Sequence, residues 1–217
     1  MNKTIQMNIS ILLIPAVLLT LVANGQNDLQ AIKILDSFSN NALGAPSVSM
    51  KFNMVTDDLT ENTSDTLNGS IILCKDKYKL NLSENIIWFN GETSWSYLPA
   101  EKEVTITRAD KEDHSFQNRP SEIFSMYKNG FKSRLIEERS DLYIIDLYPE
   151  DIKSDLLRVR LSIGKSKLNL LSLEYKKRDG MVITLNIADY SLKLKPDGDT
   201  FVFQSGKFKG IEVIDMR

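Results

Sequence analysis

The 217-residue chain has one cysteine, Cys74, and one histidine, His114. A single thiol excludes an intrachain disulfide scaffold. One histidine and one cysteine do not make a zinc site without carboxylates at matching spacing. No nucleophile elbow or oxyanion loop surrounds His114, which reads as a solvated loop residue. Charge of neither sign dominates, since 27 basic residues against 29 acidic give a net charge of −2. The clustered basic footprint of a nucleic-acid binder is therefore missing. No Pro-, Gly- or Ser-rich linker divides the chain, so one domain is expected.

One long apolar run is present, over residues 9–22. It is interrupted by Ser10, Pro15 and Thr20, follows Lys3, and precedes the small residues Ala23, Asn24 and Gly25. This is the pattern of an export signal, residues 1–25, cleaved between Gly25 and Gln26. A bilayer-spanning helix needs about 20 apolar residues, so the run is too short to be retained as an anchor. No cysteine stands at the cleavage point to carry a lipid, and the mature domain, residues 26–217, is expected to be unanchored. Without disulfides its stability must come from buried apolar area, for which roughly 190 residues suffice as a single core.

Residues 83–108 hold three short alternating runs. Asn90-Gly91, a pair that tolerates positive φ, turns the first into the second, and Pro99-Ala100-Glu101-Lys102 turns the second into the third. In the middle run Thr93, Trp95 and Tyr97 share one face while Glu92, Ser94 and Ser96 share the other. This β-meander therefore has an aromatic face and a wet one.

Upstream, a helix over 28–43, capped by Asn27 or Asp28, carries Leu29, Ile32, Leu35 and Phe38 along one stripe. Val48, Met50, Phe52 and Met54 then alternate with polar residues as a strand over 47–55. The polar stretch 56–64 is read as a long turn. A hairpin comes next, over 65–74 and 77–82, with Leu73 and Leu80 among its apolar positions and Lys75-Asp76 at its bend. Beyond the meander, Pro120 opens a short helix over 121–128 bearing Ile123, Phe124, Met126 and Tyr127. So short a helix must lie on something apolar. From residue 131 six further strands are expected, the last over 201–203, separated by turn residues.

Strands at roughly 8 to 12 residue intervals point to one large antiparallel sheet. A sheet of about ten or eleven strands curls or closes, leaving room for a ligand or a plug, and the two amphipathic helices are the available plugs. An ordinary β core is the commonest use of apolar strand faces. The adaptable methionines favour a lipid site. Asp57-Asp58 and Asp197-Gly198-Asp199 read as turn formers rather than calcium sites. No carboxylate pair is singled out for glycosidase chemistry, and no catalytic, metal-binding or cofactor-binding residue is assigned.

The order of elements adds a resemblance. It consists of the signal, the amphipathic helix, the Met/Phe strand, and Leu67-Asn68-Gly69-Ser70-Ile71 leading to Lys77-Tyr78-Lys79-Leu80. After these come the turn Trp88-Phe89-Asn90-Gly91-Glu92-Thr93-Ser94-Trp95-Ser96-Tyr97 and the ending Phe201-Val202-Phe203 with Gly210-Ile211-Glu212-Val213-Ile214-Asp215. Together they resemble the periplasmic outer-membrane lipoprotein carrier (LolA) family.

The resemblance implies a mainly β fold, an incomplete antiparallel β-barrel of about eleven strands with an N-terminal helix and a short helical lid over an apolar cavity. It implies a periplasmic carrier and not an enzyme. Such a carrier takes acylated lipoproteins from an inner-membrane lipoprotein-releasing ABC transporter and shuttles their acyl chains toward the outer membrane. No cofactor and no nucleic acid are involved, a monomer is expected, and no outer-membrane acceptor is indicated. The cavity is expected to be lined by Met50, Phe52, Met54, Leu73, Leu80, Trp88, Trp95, Tyr97 and Ile106. The lid carries Ile123, Phe124, Met126 and Tyr127, which fill the empty cavity and are displaced on loading.

Members of the family have Arg-Pro at the second hairpin bend, whose Arg latches the lid. The matching positions here are Lys75-Asp76, and Lys lacks the planar fork of donors, so Lys75 is expected to latch weakly or not at all. Two other readings share the pattern. One is a periplasmic regulator on the same fold that senses a lipid or a membrane-anchored protein; the other is an exported hydrolase.

Overall fold

A computed structural model describes residues 28–108 and 119–217. The export signal and His114 lie outside the described residues. The chain opens with α1 (Leu29–Leu43), whose N-cap Asp28 accepts the backbone N–H groups of Gln30 at 2.9 Å and Ala31 at 3.3 Å. Twelve strands come after it: β1 (Val48–Asp58), β2 (Thr63–Cys74), β3 (Lys77–Leu82), β4 (Ile86–Phe89), β5 (Thr93–Leu98), β6 (Glu103–Arg108), β7 (Phe131–Glu138), β8 (Leu142–Pro149), β9 (Leu156–Gly164), β10 (Leu170–Lys177), β11 (Met181–Ser191) and β12 (Glu212–Asp215). Between β6 and β7 lie two short 3₁₀ turns, Pro120–Phe124 and Met126–Lys128, in place of the expected single helix. Ser125, at φ −133, breaks the helical path between them.

All twelve strands form one sheet in the order β12-β6-β5-β4-β3-β2-β1-β11-β10-β9-β8-β7. The two ends of that order are not bonded to each other, so the sheet is an incomplete barrel with β12 and β7 at its edges. Eleven strands pair antiparallel, as expected. The twelfth, β12, runs parallel to β6, pairing Val213 with Val104 and Asp215 with Ile106. Residues 201–203, expected as a strand, are instead the end of a 3₁₀ turn, Gly198–Phe201, and two irregular residues after it. The polar stretch read as a long turn is also mostly strand. β1 continues to Asp58, opposite Met181, and β2 begins at Thr63, because the pairing of β1 with β11 and β2 carries polar side chains through a wet part of the sheet.

The inner face of the sheet carries the main core. Phe52, Ile71, Leu80, Ile145, Leu161 and Leu173 are buried there beneath α1 and the two 3₁₀ turns. Each such side chain stabilises the fold by about 1.5–3 kcal/mol on burial. The helix keeps Leu35 and Phe38 of the expected stripe but continues it through Ala31, Ile34 and Ala42, whereas Leu29 is 74% exposed. An α-helix advances about 100° per residue, so strict three-residue spacing drifts, and Leu29 falls half a turn away from Phe38. Gly69 faces Phe52 across β1 and β2, and a Cβ there would meet the Phe52 ring at 2.5 Å. The absence of a side chain is what lets that ring lie flat over β2.

Candidate functional site

The lid turns hold their apolar residues against the inner core. Ile123, Phe124 and Tyr127 are buried and Met126 partly so. The Phe124 ring tilts against Phe38 of α1 at 5.3 Å between centroids. A part-buried hydrogen bond ties these turns to the helix, from the Tyr127 hydroxyl to Asp36 Oδ1 at 2.5 Å. Burial, and then that bond to Asp36, push the Tyr127 phenol up to about 12. Within the first turn Arg119 pairs with Glu122 at 2.8 Å.

The nine residues expected to line one cavity fall into two groups. Met50, Phe52, Leu73 and Leu80 are buried on the inner face with the lid, and Met54 packs against them. Trp88, Trp95, Tyr97 and Ile106 face the other way. Leu80 pairs with Ile87 on the inner face, while the next position pairs Lys79 with Trp88, which in turn aligns with Trp95 and Ile106. Alternation along a strand then places the aromatic meander face on the outer side.

That outer face is not bare. Residues from the C-terminal segment cover it, with Phe203 5.3 Å from Trp88 and Phe208 4.9 Å from Tyr97, and Ile211 packing alongside. The Lys79 ammonium lies 5.4 Å from the Trp88 ring centre. These covering aromatics stand in a stretch without strand alternation, so no local pattern marks them as partners of the meander.

Lys75 sits at the β2–β3 bend with φ +57 and its side chain exposed. Among the described residues its side chain makes no hydrogen bond or ion pair. It stands at the rim of a cleft of about 370 Å³, walled by Ala42, Leu43, Ala45, Pro46, Ser47, Val48, Leu73, Ser121 and Phe124. The Ser47 hydroxyl in that wall is already committed, donating to the Leu194 carbonyl at 2.7 Å.

The outer face of β8 and β9 carries an ionic group that sequence spacing does not reveal. Asp146, 1% exposed, accepts both arms of the Arg160 guanidinium at 2.6 and 2.8 Å and the Tyr148 hydroxyl at 3.0 Å. Arg158 approaches Asp146 at 3.8 Å and also bonds Glu174 on β10. Asp58 and Asp197 act as turn formers, accepting from Thr60 and Glu61 N–H groups and from the Thr200 hydroxyl respectively. Among the described residues no group of three His, Cys, Asp or Glu side chains could hold a metal ion, and no helix is long and apolar enough to cross a membrane.

The fold is thus an open, almost wholly antiparallel sheet with a helix and two 3₁₀ turns packed on its apolar inner face. The chain belongs to the family described as "Outer membrane lipoprotein carrier protein LolA", whose profile matches residues 23–168. No curated protein matches the sequence. Among solved structures it is similar to an uncharacterized conserved protein from Thermus thermophilus, at 12% identity and a TM-score of 0.56, covering 86% of this chain and 99% of that one. It is also similar to a LolA superfamily protein from Nitrosomonas europaea, at 15% identity and a TM-score of 0.43, covering 80% and 97%. A third is the lipoprotein LppX from Mycobacterium tuberculosis, at 13% identity and a TM-score of 0.38, covering 76% and 99%. At such identities the likeness is one of fold.

Proposed function

We propose that this chain is a periplasmic carrier that binds the acyl chains of lipoproteins under its lid and shuttles them from the inner to the outer membrane. In this reading an inner-membrane ABC transporter supplies the cargo and the export signal delivers the carrier. The observation that supports it most is the lid itself. Two short 3₁₀ turns that could not persist alone place Ile123, Phe124 and Tyr127 in the core, held at one polar point by Asp36.

The energetics suit reversible loading. Sequestering an acyl chain of about 15 methylenes is worth on the order of 12 kcal/mol. The lid side chains must leave the core to admit it, so the net affinity is the difference between two burials. A guest can therefore be held against water and still be released to a membrane.

The reading is tested on protein purified from its own periplasm by native mass spectrometry, where acylated lipoprotein is the expected co-purifying mass. Phe124→Ala sharpens the test. Removing the buried ring destabilises the empty state by about 3–5 kcal/mol, so the variant should melt lower alone yet capture lipoprotein more tightly and release it more slowly. Capture unaffected by this substitution would overturn the plug. A protein that holds lipid, passes none to acceptor membranes and instead changes its affinity for a protein partner would be the regulator of the alternative reading.

A further inference from the structure

We propose that the cleft between the α1–β1 connection, the end of β2 and the first lid turn is a binding site for a single-chain anionic amphiphile whose head group is held by Lys75. The cleft opens at the end of the inner-face core, whose Ala42, Val48, Leu73 and Phe124 form part of its wall. Ala45, Val48, Leu73 and Phe124 give it apolar walls beside Ser121, and the exposed Lys75 stands at its rim. Its volume of about 370 Å³ lies near the lower end of ordinary small-ligand sites, about 300–1,000 Å³, which suits one hydrocarbon chain rather than several.

The charge at the rim selects the head group. Among the described residues Lys75 is the only charged side chain lining the cleft, and its ammonium has no partner there. The neighbouring acid does not neutralise it, because the Asp76 carboxylate is turned toward Gly91, where an added Cβ would lie 2.7 Å from Asp76 Oδ2. Lys75 also occupies the left-handed region, φ +57, which glycine or asparagine adopts more cheaply. Turn formation therefore does not account for lysine at this position, whereas an ammonium at the mouth of an apolar cleft complements a carboxylate or a phosphate monoester. The long aliphatic stem lets the head remain in water while the guest's chain is buried.

The test titrates the mature protein with three ligands of equal chain length, displacing a bound fluorescent fatty acid. Palmitate carries a carboxylate, palmitoyl lysophosphatidate a phosphate, and hexadecanol no charge. At least one anionic ligand should bind about tenfold more tightly than hexadecanol. Preference between palmitate and lysophosphatidate then identifies a fatty acid or a lipid phosphate as the guest. Lys75→Glu should erase the anionic preference while leaving hexadecanol binding in place, and Lys75→Asn, which suits the backbone, should do the same without disturbing the bend. Ala45→Trp should abolish binding of all three ligands. Hexadecanol bound as tightly as palmitate and lysophosphatidate, or a preference that survives both Lys75 substitutions, would overturn the site. Because Leu73 and Phe124 also belong to the interior assigned to the carrier, the site rests on that reading for its acyl-chain chemistry; loss of the anionic preference with hexadecanol still bound fails this site alone, whereas no binding of any of the three ligands fails both.

Discussion

The Tyr127 hydroxyl and the Asp36 carboxylate, 91 residues apart in the chain, meet in a 2.5 Å hydrogen bond between the second lid turn and the middle of α1. It is the lid's polar attachment to the helix, next to the purely apolar contact of Phe124 with Phe38. This directional bond is set among non-directional contacts.

Tyr127→Phe keeps the ring and deletes the donor. A hydrogen bond to a charged acceptor is worth about 1.5–3 kcal/mol, so a fall in Tm of about 5 °C is expected. Amide exchange should accelerate over residues 119–128 ahead of the strands. The bond also imposes a pH dependence. The folded phenol titrates near 12 against an ordinary 10, so its contribution is fully present below pH 10 and is lost as pH rises toward 12. Melting curves between pH 9 and 12 should show a larger alkaline loss in the native chain than in Tyr127→Phe, which still keeps the Tyr148, Tyr175 and Tyr190 phenols whose pKa values burial also raises.

Asp28 joins α1 to the open edge of the sheet. Its carboxylate caps the helix and also accepts the Leu135 N–H of β7 at 3.1 Å, while its own N–H donates to the Ser133 carbonyl at 3.1 Å. Desolvation raises its pKa, but the N–H donors of Leu135, Gln30 and Ala31 and the charge of Arg134 outweigh it, leaving the group below its ordinary 3.8. The stabilisation is present above pH 3.8 and fades as pH falls through the lowered value. Asp28→Ala should lose about 1–2 kcal/mol at neutral pH. Asp28→Asn should lose less there and show a weaker decline toward pH 3. Urea midpoints at pH 7 and pH 3 separate the two.

Asp146→Ala should lose about 1.5–3 kcal/mol, because it removes the charged acceptor of Arg160 while that guanidinium stays partly in water and Arg158 keeps Glu174. Replacing both partners, as Asp146→Leu with Arg160→Met, should recover much of that loss. Urea denaturation of the two single variants and the double variant gives the coupling. Ligand binding under the lid should be unchanged, since the group lies on the outer face.

The strands over 77–82 and 103–108 are legible in the sequence because each alternates apolar and polar residues between recognisable turns. The start of α1 is legible from its Asp cap and its end from Gly44 and Pro46. Its buried stripe is not, because a spacing of three looks periodic over a few residues yet rotates off the face. The burial of Met50, Phe52, Leu73, Leu80 and the 3₁₀ turns after Pro120 is legible from apolar content. The outer face reads as part of one cavity with them because Trp88, Trp95 and Tyr97 have the right composition, and composition carries no sidedness.

Local order was already written in the residue sequence: where strands run, where they turn, which positions alternate, and that the chain resembles a carrier family. Alternation is a property of a few neighbouring residues and survives any tertiary arrangement. Which of a strand's two faces turns inward depends on what covers it, and those partners lie far along the chain. Phe203 and Phe208 claim the meander aromatics, α1 and the lid claim the opposite face, and β12 adds itself parallel to β6. Each of these is a long-range choice between similar apolar surfaces, settled by total burial rather than by any local signal, so it becomes visible once the whole sheet is assembled.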